Sequence, residues 1–234
     1  MSETTVDIEK VFTSIADRYE ALNTILTLNI DQGWRKKAIR ECNLKSNQKV
    51  LDLCCGTGQM VEYECKEIGK ESEVIGLDLT EGMLQVAYNK LSESLKDYKF
   101  RLIKGNAMEL PFNNNSFDCI TIAFGLRNIP DKEKSLSEIY RVLKPGGKAV
   151  CLELSKPQMP VFRNIYNLYF NHVLPLVGYL GTRDRMAYKY LRDSVNGFMN
   201  KEQLNKAFTK AGFKEAGYIS LTLGTAAIHY GLKV

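Results

Sequence analysis

"KVLDLCCGTGQMV", residues 49–61, joins a short apolar run to a glycine turn, and how this junction is read decides the fold. Asp52 sits near the end of the run, and Gly56 and Gly58 follow with Thr57 between them. Glycines placed directly after a strand let backbone amides approach a ligand closely, because no β-carbon stands in the way. A dinucleotide-binding turn has the form G-x-G-x-x-G, and its third glycine lets the helix pack tightly on the strand around a pyrophosphate. Val61 occupies that third position here, which removes support for a nicotinamide dinucleotide. No G-K-[ST] follows either, so the turn is not a P-loop.

Working outward, "EVIGLD" at 73–78 ends in Asp78, which lies 78 − 58 = 20 residues beyond Gly58. That separation suits a carboxylate accepting hydrogen bonds from both hydroxyls of a ribose. The charge of Asp52 beside the turn favours a cationic ligand over a pyrophosphate. S-adenosylmethionine has a ribose, an ammonium, a sulfonium and no phosphate, so these residues point to it as the cofactor, with S-adenosylhomocysteine as its product. "GNAMELPF" at 105–112 follows the third apolar run. Asn106 is placed there to bond an adenine and the Ala107 amide to donate to a ring nitrogen, although Asn and Gly in such a turn also need no ligand.

Apolar runs at 49–54, 73–78, 98–103, 117–124 and 148–154 alternate with helical candidates at 58–68, 81–95 and 131–143. This alternation predicts an α/β fold with a mostly parallel sheet covered by helices on both faces. "KPGG" at 144–147 reads as a turn that stops a helix and starts the fifth strand. A helix over 201–211 and two last strands around Gly224-Thr225 predict an antiparallel C-terminal hairpin. Before the sheet, Ile8, Val11, Phe12, Ile15, Tyr19 and Leu22 recur at helical spacing, and a second short helix is expected over 33–42. The chain thus divides into an N-terminal helical cap (1–45), a cofactor-binding α/β core (46–155), an apolar and aromatic helical lid (156–198), and the final helix and strands of the core (199–234).

A length of 234 residues with 44% hydrophobic and 25% charged residues suits one soluble domain with a sizeable core. No apolar segment reaches the ~20 residues that a bilayer span needs, and the polar opening is not a secretory signal, so a cytoplasmic protein is expected. The six cysteines contain no C-x-x-C pair and only two histidines accompany them, which argues against a metal site and for reduced thiols. Adjacent Cys54 and Cys55 are expected on opposite faces if the strand runs through them. The net charge of +5 is spread along the chain, and its densest basic cluster, "WRKKAIR" at 34–40, reads as a solvated helix face, with phosphate or anionic lipid contact as the alternative.

Further segments go beyond a cofactor-binding signature: "FDCITIAFGLRNIPD" (117–131), "YRVLKPGG" (140–147), "SKP" (155–157), "HVLPLVG" (172–178) and "GTAAIHYGLK" (224–233). Across nearly the whole chain these resemble the ubiquinone and menaquinone biosynthesis C-methyltransferases, which are class I S-adenosylmethionine-dependent methyltransferases. The resemblance implies a Rossmann-like class I methyltransferase fold with a seven-stranded sheet. It implies C-methylation of a polyprenylated quinol, demethylmenaquinol foremost, with a benzoquinol of the ubiquinone pathway as the alternative. Thr57, Asp78, Asn106 and Ala107 match the family's cofactor-binding positions, beside Asp52, Gly56 and Gly58, and Arg127-Asn128 match its active-site loop. "YEALN" (19–23) through "GWR" (33–35) is similar to its N-terminal signature. The sequence departs at Asp31, often histidine in the family, at Cys54, a glycine in the wider methyltransferase pattern, and at Ala123, commonly serine. Ala123 is left with a backbone or packing contact to the cofactor.

A reduced quinol is itself the nucleophile, at the ring carbon ortho to an ionised hydroxyl, so the protein has to align it and stabilise a phenolate-like oxygen. Arg127 is expected to favour the ionised quinol through its permanent charge, with a water between Arg127, Asn128 and the quinol hydroxyl removing the proton. A surface salt bridge is the plainer reading of Arg127. Tyr19 is expected to close the site as a hydroxyl donor or simply to pack, and His172 and His229, the two histidines, to serve structure, with either as the natural base if one is required. A nucleic-acid methyltransferase is disfavoured, since "GLRNIP" stands where [ND]-P-P-[YF] would follow the fourth strand and no basic stripe exists. A sterol or other small-molecule methyltransferase and a cofactor-binding module without catalysis stay open. The aromatic run at 162–180 is read as lid core, as an entrance for an isoprenoid tail, or as both. With Arg183 and Arg185 it suggests peripheral contact with a membrane surface. A homodimer is compatible with all of this.

Overall fold

Successive residues of a strand face opposite sides of a sheet, and in β1 (Lys49–Leu53) both sides are apolar, with Val50 in one core cluster and Leu51 and Leu53 in the other. A strand of this kind needs helices on both faces, which is the arrangement observed. The computed structural model describes residues 29–157 and 185–234, together with Ala16, Glu20, Thr24 and Thr27, and of residues 185–189 the backbone alone. Apart from Ala16 and Glu20, the residues of the helix expected over 6–22, Tyr19 among them, and residues 158–184 of the expected lid, with His172, lie outside the described residues.

From α1 (Ile30–Cys42) the chain runs through β1, α2 (Gln59–Ile68), β2 (Glu73–Asp78), α3 (Glu81–Ser94), β3 (Lys99–Lys104), β4 (Phe117–Ala123), a 3-10 turn (Leu126–Asn128), α4 (Lys132–Val142) and β5 (Leu143–Leu154). It continues with α5 (Arg185–Gly197), α6 (Lys201–Lys210), β6 (Lys214–Leu221) and β7 (Ala226–Leu232). The sheet has seven strands in the order β3-β2-β1-β4-β5-β7-β6, parallel from β3 to β5 and antiparallel at β7 and β6. Trp34, Ala38 and Ile39 of α1, Met60, Val61 and Cys65 of α2, and Leu84 and Leu91 of α3 cover one face. Leu136 and Ile139 of α4 with Leu204 and Phe208 of α6 cover the other. The predicted α/β fold and antiparallel C-terminal pair are therefore both present.

Burial follows strand order. Central β1, β2 and β4 are buried almost throughout, whereas edge strands β3 and β6 are mostly exposed or half-buried. Charged Lys99, Arg101 and Lys104 mark the β3 edge, where they discourage pairing with another chain. "KPGG" does not precede the fifth strand as expected. Leu143 already pairs with Phe117, pairing resumes at Lys148 with Cys119, and the four residues between bulge out of the ladder, with Gly146 at φ 79°. The two cysteines also differ from expectation. The strand ends at Leu53 and Cys54 takes φ 53°, yet Cys55 and Cys54 still reach the two separate core clusters.

Candidate active site

In an open parallel sheet the ligand crevice lies at the carboxyl ends of the strands where strand order reverses. Here that point falls between β1 and β4. A cleft of about 190 Å³ opens there, far more than the ~10–15 Å³ that a single water needs. It is lined by Cys54, Gly56 and Gln59 after β1, Asp78, Thr80 and Met83 after β2, Asn106 and Ala107 after β3, and Ala123, Phe124, Gly125 and Asn128 after β4. Arg35 of α1 closes one side.

The two glycines of the turn serve different ends. Gly56, at φ 54°, has nothing within 4 Å of where a β-carbon would stand, so its backbone faces open cleft. Gly58, at φ 78°, packs so closely on α3 that a β-carbon would lie 2.6 Å from Leu91 Cδ1. The Gly56 N–H donates to Asp78 Oδ2 at 2.9 Å and the Thr80 N–H to Asp78 Oδ1 at 2.8 Å. Burial raises the Asp78 carboxyl above its usual range, and the amides of Thr80 and Gly56 pull it back. Each carboxylate oxygen keeps lone-pair capacity for a ribose hydroxyl. Asn106 is exposed, with its Oδ1 accepting the Met108 N–H at 2.9 Å, which leaves its amide donors available, and Ala107 is buried beside it. An anchored carboxylate, an open glycine backbone and an available amide edge along one cleft fit a nucleoside ligand.

Asp52 and Thr57 lie elsewhere than the sequence suggested. Neither lines the cleft: Asp52 is 1% exposed and Thr57 3%. Thr121 Oγ1 is 2.9 Å from Asp52 Oδ1 and 2.6 Å from Glu64 Oε1, all three residues being buried. A hydroxyl has one proton to give, so the second of these contacts requires a proton from a carboxyl. Burial raises Glu64 well above its usual range and Asp52 to about 7, so the pair holds a proton beneath the turn. Thr57 Oγ1 donates to Glu20 Oε1 at 2.6 Å, and Lys90 Nζ meets the same oxygen at 2.6 Å. Burial works against the Glu20 charge, but the bonds from Lys90 and Thr57 hold its carboxyl below the usual value.

The loop after β4 is shaped by contact with the loop after β1. Phe124 takes φ 58° opposite Cys54 at φ 53°, a left-handed conformation uncommon for non-glycine residues and concentrated at functional sites. A β-carbon on Gly125 would collide with the Cys54 side chain, so the glycine at 125 is a packing requirement. Arg127 does not line the cleft. Its Nη1 donates to Glu153 Oε1 at 2.7 Å and to the Phe124 carbonyl, its N–H donates to Glu153 Oε2 at 3.1 Å, and the two side chains are 6% and 1% exposed. Asn128 does line the cleft, with its Oδ1 accepting Tyr190 Oη at 2.9 Å.

Comparison with known proteins identifies the family. The ubiE/COQ5 methyltransferase family matches residues 1–233. The chain belongs to that family. It is 42% identical over 226 residues to the demethylmenaquinone methyltransferase of Staphylococcus saprophyticus subsp. saprophyticus, covering 97% of this chain and 96% of that protein. It is 42% identical over 227 residues to the Lactiplantibacillus plantarum demethylmenaquinone methyltransferase, with the same coverage of 97% and 96%. Among solved structures, an Aquifex aeolicus SAM-dependent methyltransferase superposes with a TM-score of 0.62 at 20% identity, covering 86% of this chain and 89% of that one. A Haemonchus contortus phosphoethanolamine N-methyltransferase 2 in complex with S-adenosyl-L-methionine gives 0.65 at 18% identity, covering 95% and 60%. At these identities the structures speak for the fold alone. The enzyme is a methyltransferase.

In this methyltransferase, four groups near the site escaped the sequence reading: Arg35, Gln59, Glu153 and Tyr190. Glu153 and Tyr190 meet Arg127 and Asn128 only through tertiary packing and leave no local signal. For Arg35 a signal existed. It shares a helix face with Ala38, Ile39 and Cys42, all buried, whereas Lys36, Lys37 and Arg40 of the same basic cluster are exposed. The cluster is thus a solvated face with one arginine turned inward.

Proposed function

We propose that this methyltransferase converts demethylmenaquinol to menaquinol. The observation that carries the reading is the 42% identity, spanning 97% of this chain and 96% of each relative, to demethylmenaquinone methyltransferases. Bound S-adenosylmethionine supplies an electrophilic methyl on a sulfonium. The ring carbon ortho to an ionised quinol hydroxyl forms the new C–C bond as the S–C bond breaks, and the ring proton then leaves to restore aromaticity. No covalent enzyme intermediate is needed, so the residues bind, align and manage one proton.

In this reading Asp78, Asn106 and Ala107 hold the nucleoside, Gly56 and Ala123 contribute backbone and close packing, and Asn128 offers its amide to a quinol oxygen. Asp52, Thr57 and Gly58 act from beneath, by shaping the turn. Arg127 is a positioning residue whose pair with Glu153 fixes the 3-10 turn that presents Asn128. Tyr19, outside the described residues, is assigned the role of a hydroxyl donor on the resemblance of its sequence segment alone. We extend the proposal to the membrane surface, since a polyprenyl tail partitions into the bilayer. Phe162, Tyr166, Tyr169, Phe170 and Leu174, with Arg183 and Arg185, make an apolar sequence beside cations, and partial pelleting with anionic vesicles that weakens in high salt is the expected result.

The test is purified enzyme with S-adenosylmethionine and short-tailed demethylmenaquinol or demethylated benzoquinol, read by mass spectrometry. Product one methylene heavier is expected from the naphthoquinol. Turnover of the benzoquinol alone would move the enzyme to the alternative substrate, and turnover of neither would sink the quinol reading.

A further inference from the structure

Arg35 has no part in the function described above, yet it is placed to bind. It lines the cleft although its residue is only 5% exposed. Its single described polar contact is a long one, Nε to Asp31 Oδ2 at 3.5 Å. Asp31 is held in turn by Thr27 Oγ1 at 2.7 Å. The guanidinium carbon lies 4.9 Å from the centre of the Phe124 ring, a cation–π contact, while the two terminal nitrogens make no hydrogen bond among the described residues. A buried cation with unused donors facing a cleft calls for an anion.

The position within the cleft says which anion. Asp78, Asn106 and Ala107, after β2 and β3, are suited to the nucleoside, which leaves the opposite end, with Cys54 after β1 and Phe124 after β4, for the amino-acid end of the cofactor. Arg35 stands over that second end. S-adenosylmethionine carries one anionic group there, an α-carboxylate that is ionised throughout the physiological range, whereas a quinol hydroxyl is mostly protonated. We propose that Arg35, oriented by Asp31 and Phe124, binds the α-carboxylate of S-adenosylmethionine. Asp31, which departs from the family's usual histidine, then sets one edge of the guanidinium and leaves the other for the cofactor.

This rests on the cofactor and not on the identity of the quinol, so it is tested by binding alone. Calorimetry would compare S-adenosylmethionine with decarboxylated S-adenosylmethionine, and with methylthioadenosine, which lacks the amino-acid end. Wild-type enzyme should prefer S-adenosylmethionine over its decarboxylated form by roughly 10- to 100-fold, the range for a charge-assisted bidentate contact. In Arg35→Gln the preference should fall below about 3-fold, with methylthioadenosine binding unchanged. Arg35→Lys, which keeps the charge without the fork, should fall between. Equal wild-type affinity for the two ligands overturns the proposal whatever the variants do. So does an unchanged preference in Arg35→Gln, which would leave Arg35 without a role at the carboxylate.

Discussion

Two buried arginines flank the crevice, and they differ in what their charge is free to do. Arg127 follows β4 in a segment read from the sequence as an active-site loop, but Glu153 of the neighbouring strand faces it at 2.7 Å and takes up its charge. Arg35 sits in an ordinary basic cluster on α1, yet its only ion-pair contact among the described residues is at 3.5 Å and its side chain reaches the cleft. Permanent charge is common to both; the partner already in place decides between structure and ligand. A buried ion pair is costly to break because the survivor is left uncompensated, whereas a buried cation with spare donors is completed by what binds.

The comparison breaks most visibly at Glu153. Glu153→Ala should cost about 3–5 kcal/mol of unfolding free energy, because Arg127 stays buried with its main carboxylate gone. Denaturant unfolding measures it, and a loss under about 1 kcal/mol would mean that the pair does not support the fold. Asp78→Ala comes next, with the fold retained and S-adenosylmethionine binding weakened by about 1.5–3 kcal/mol through lost charge-assisted hydrogen bonds. An unchanged dissociation constant would remove Asp78 from the cofactor site. Arg127→Lys keeps charge but loses the planar fork that reaches Glu153 and the Phe124 carbonyl together. Turnover should drop roughly tenfold or more with little change in cofactor affinity, and equal changes in both would place Arg127 at the cofactor.

Legibility in the sequence divides along the same line. The strands, their parallel order and the glycine turn were readable because period and glycine placement are local signals. That Asp78 ends β2 at the cleft was readable from its spacing to Gly58. The direction of Asp52 was not, since its environment comes from Thr121, 69 residues along the chain from Asp52, and from Glu64, 57 residues from Thr121. A strand aspartate reads as a ligand group until the neighbouring helix is known to bring a second carboxyl. Glu153 was hidden for the same reason: it meets Arg127 only because β5 pairs with β4, with Ala123 opposite Leu152. Arg35 was half legible, by helical phase but not by partner. "KPGG" was read correctly as a break and placed wrongly, because a bulge inside a strand and a turn before it use the same residues.

The smallest expected effect concerns pH and separates the carboxyl pair from the rest. Asp52, raised to about 7, and Glu64, raised well above its usual range, keep a proton in the folded chain that the unfolded chain has already released. Their contribution is therefore present at low pH and lost as pH rises through the folded values. His229, lowered to about 4 by burial, acts in the opposite sense, destabilising the fold as pH falls below 6.5. Above that value His229 is silent, and the buried cysteines, whose thiols burial also raises, begin to add a loss of the same sign only near pH 8.5, so the pair is read from about pH 6.5 to about pH 7.5, where the enzyme should lose up to about 1 kcal/mol. Glu64→Gln should roughly halve the loss, and an identical slope in the variant would deny the shared proton.

The central claim, methyl transfer from S-adenosylmethionine to demethylmenaquinol, is tested most directly by the quinones of cells lacking this gene. Mass spectrometry should show demethylmenaquinone accumulated and menaquinone lost, with menaquinone restored by the wild-type chain and not by Asp78→Ala. Unchanged menaquinone, or accumulation of a demethylated benzoquinone in its place, would contradict the account.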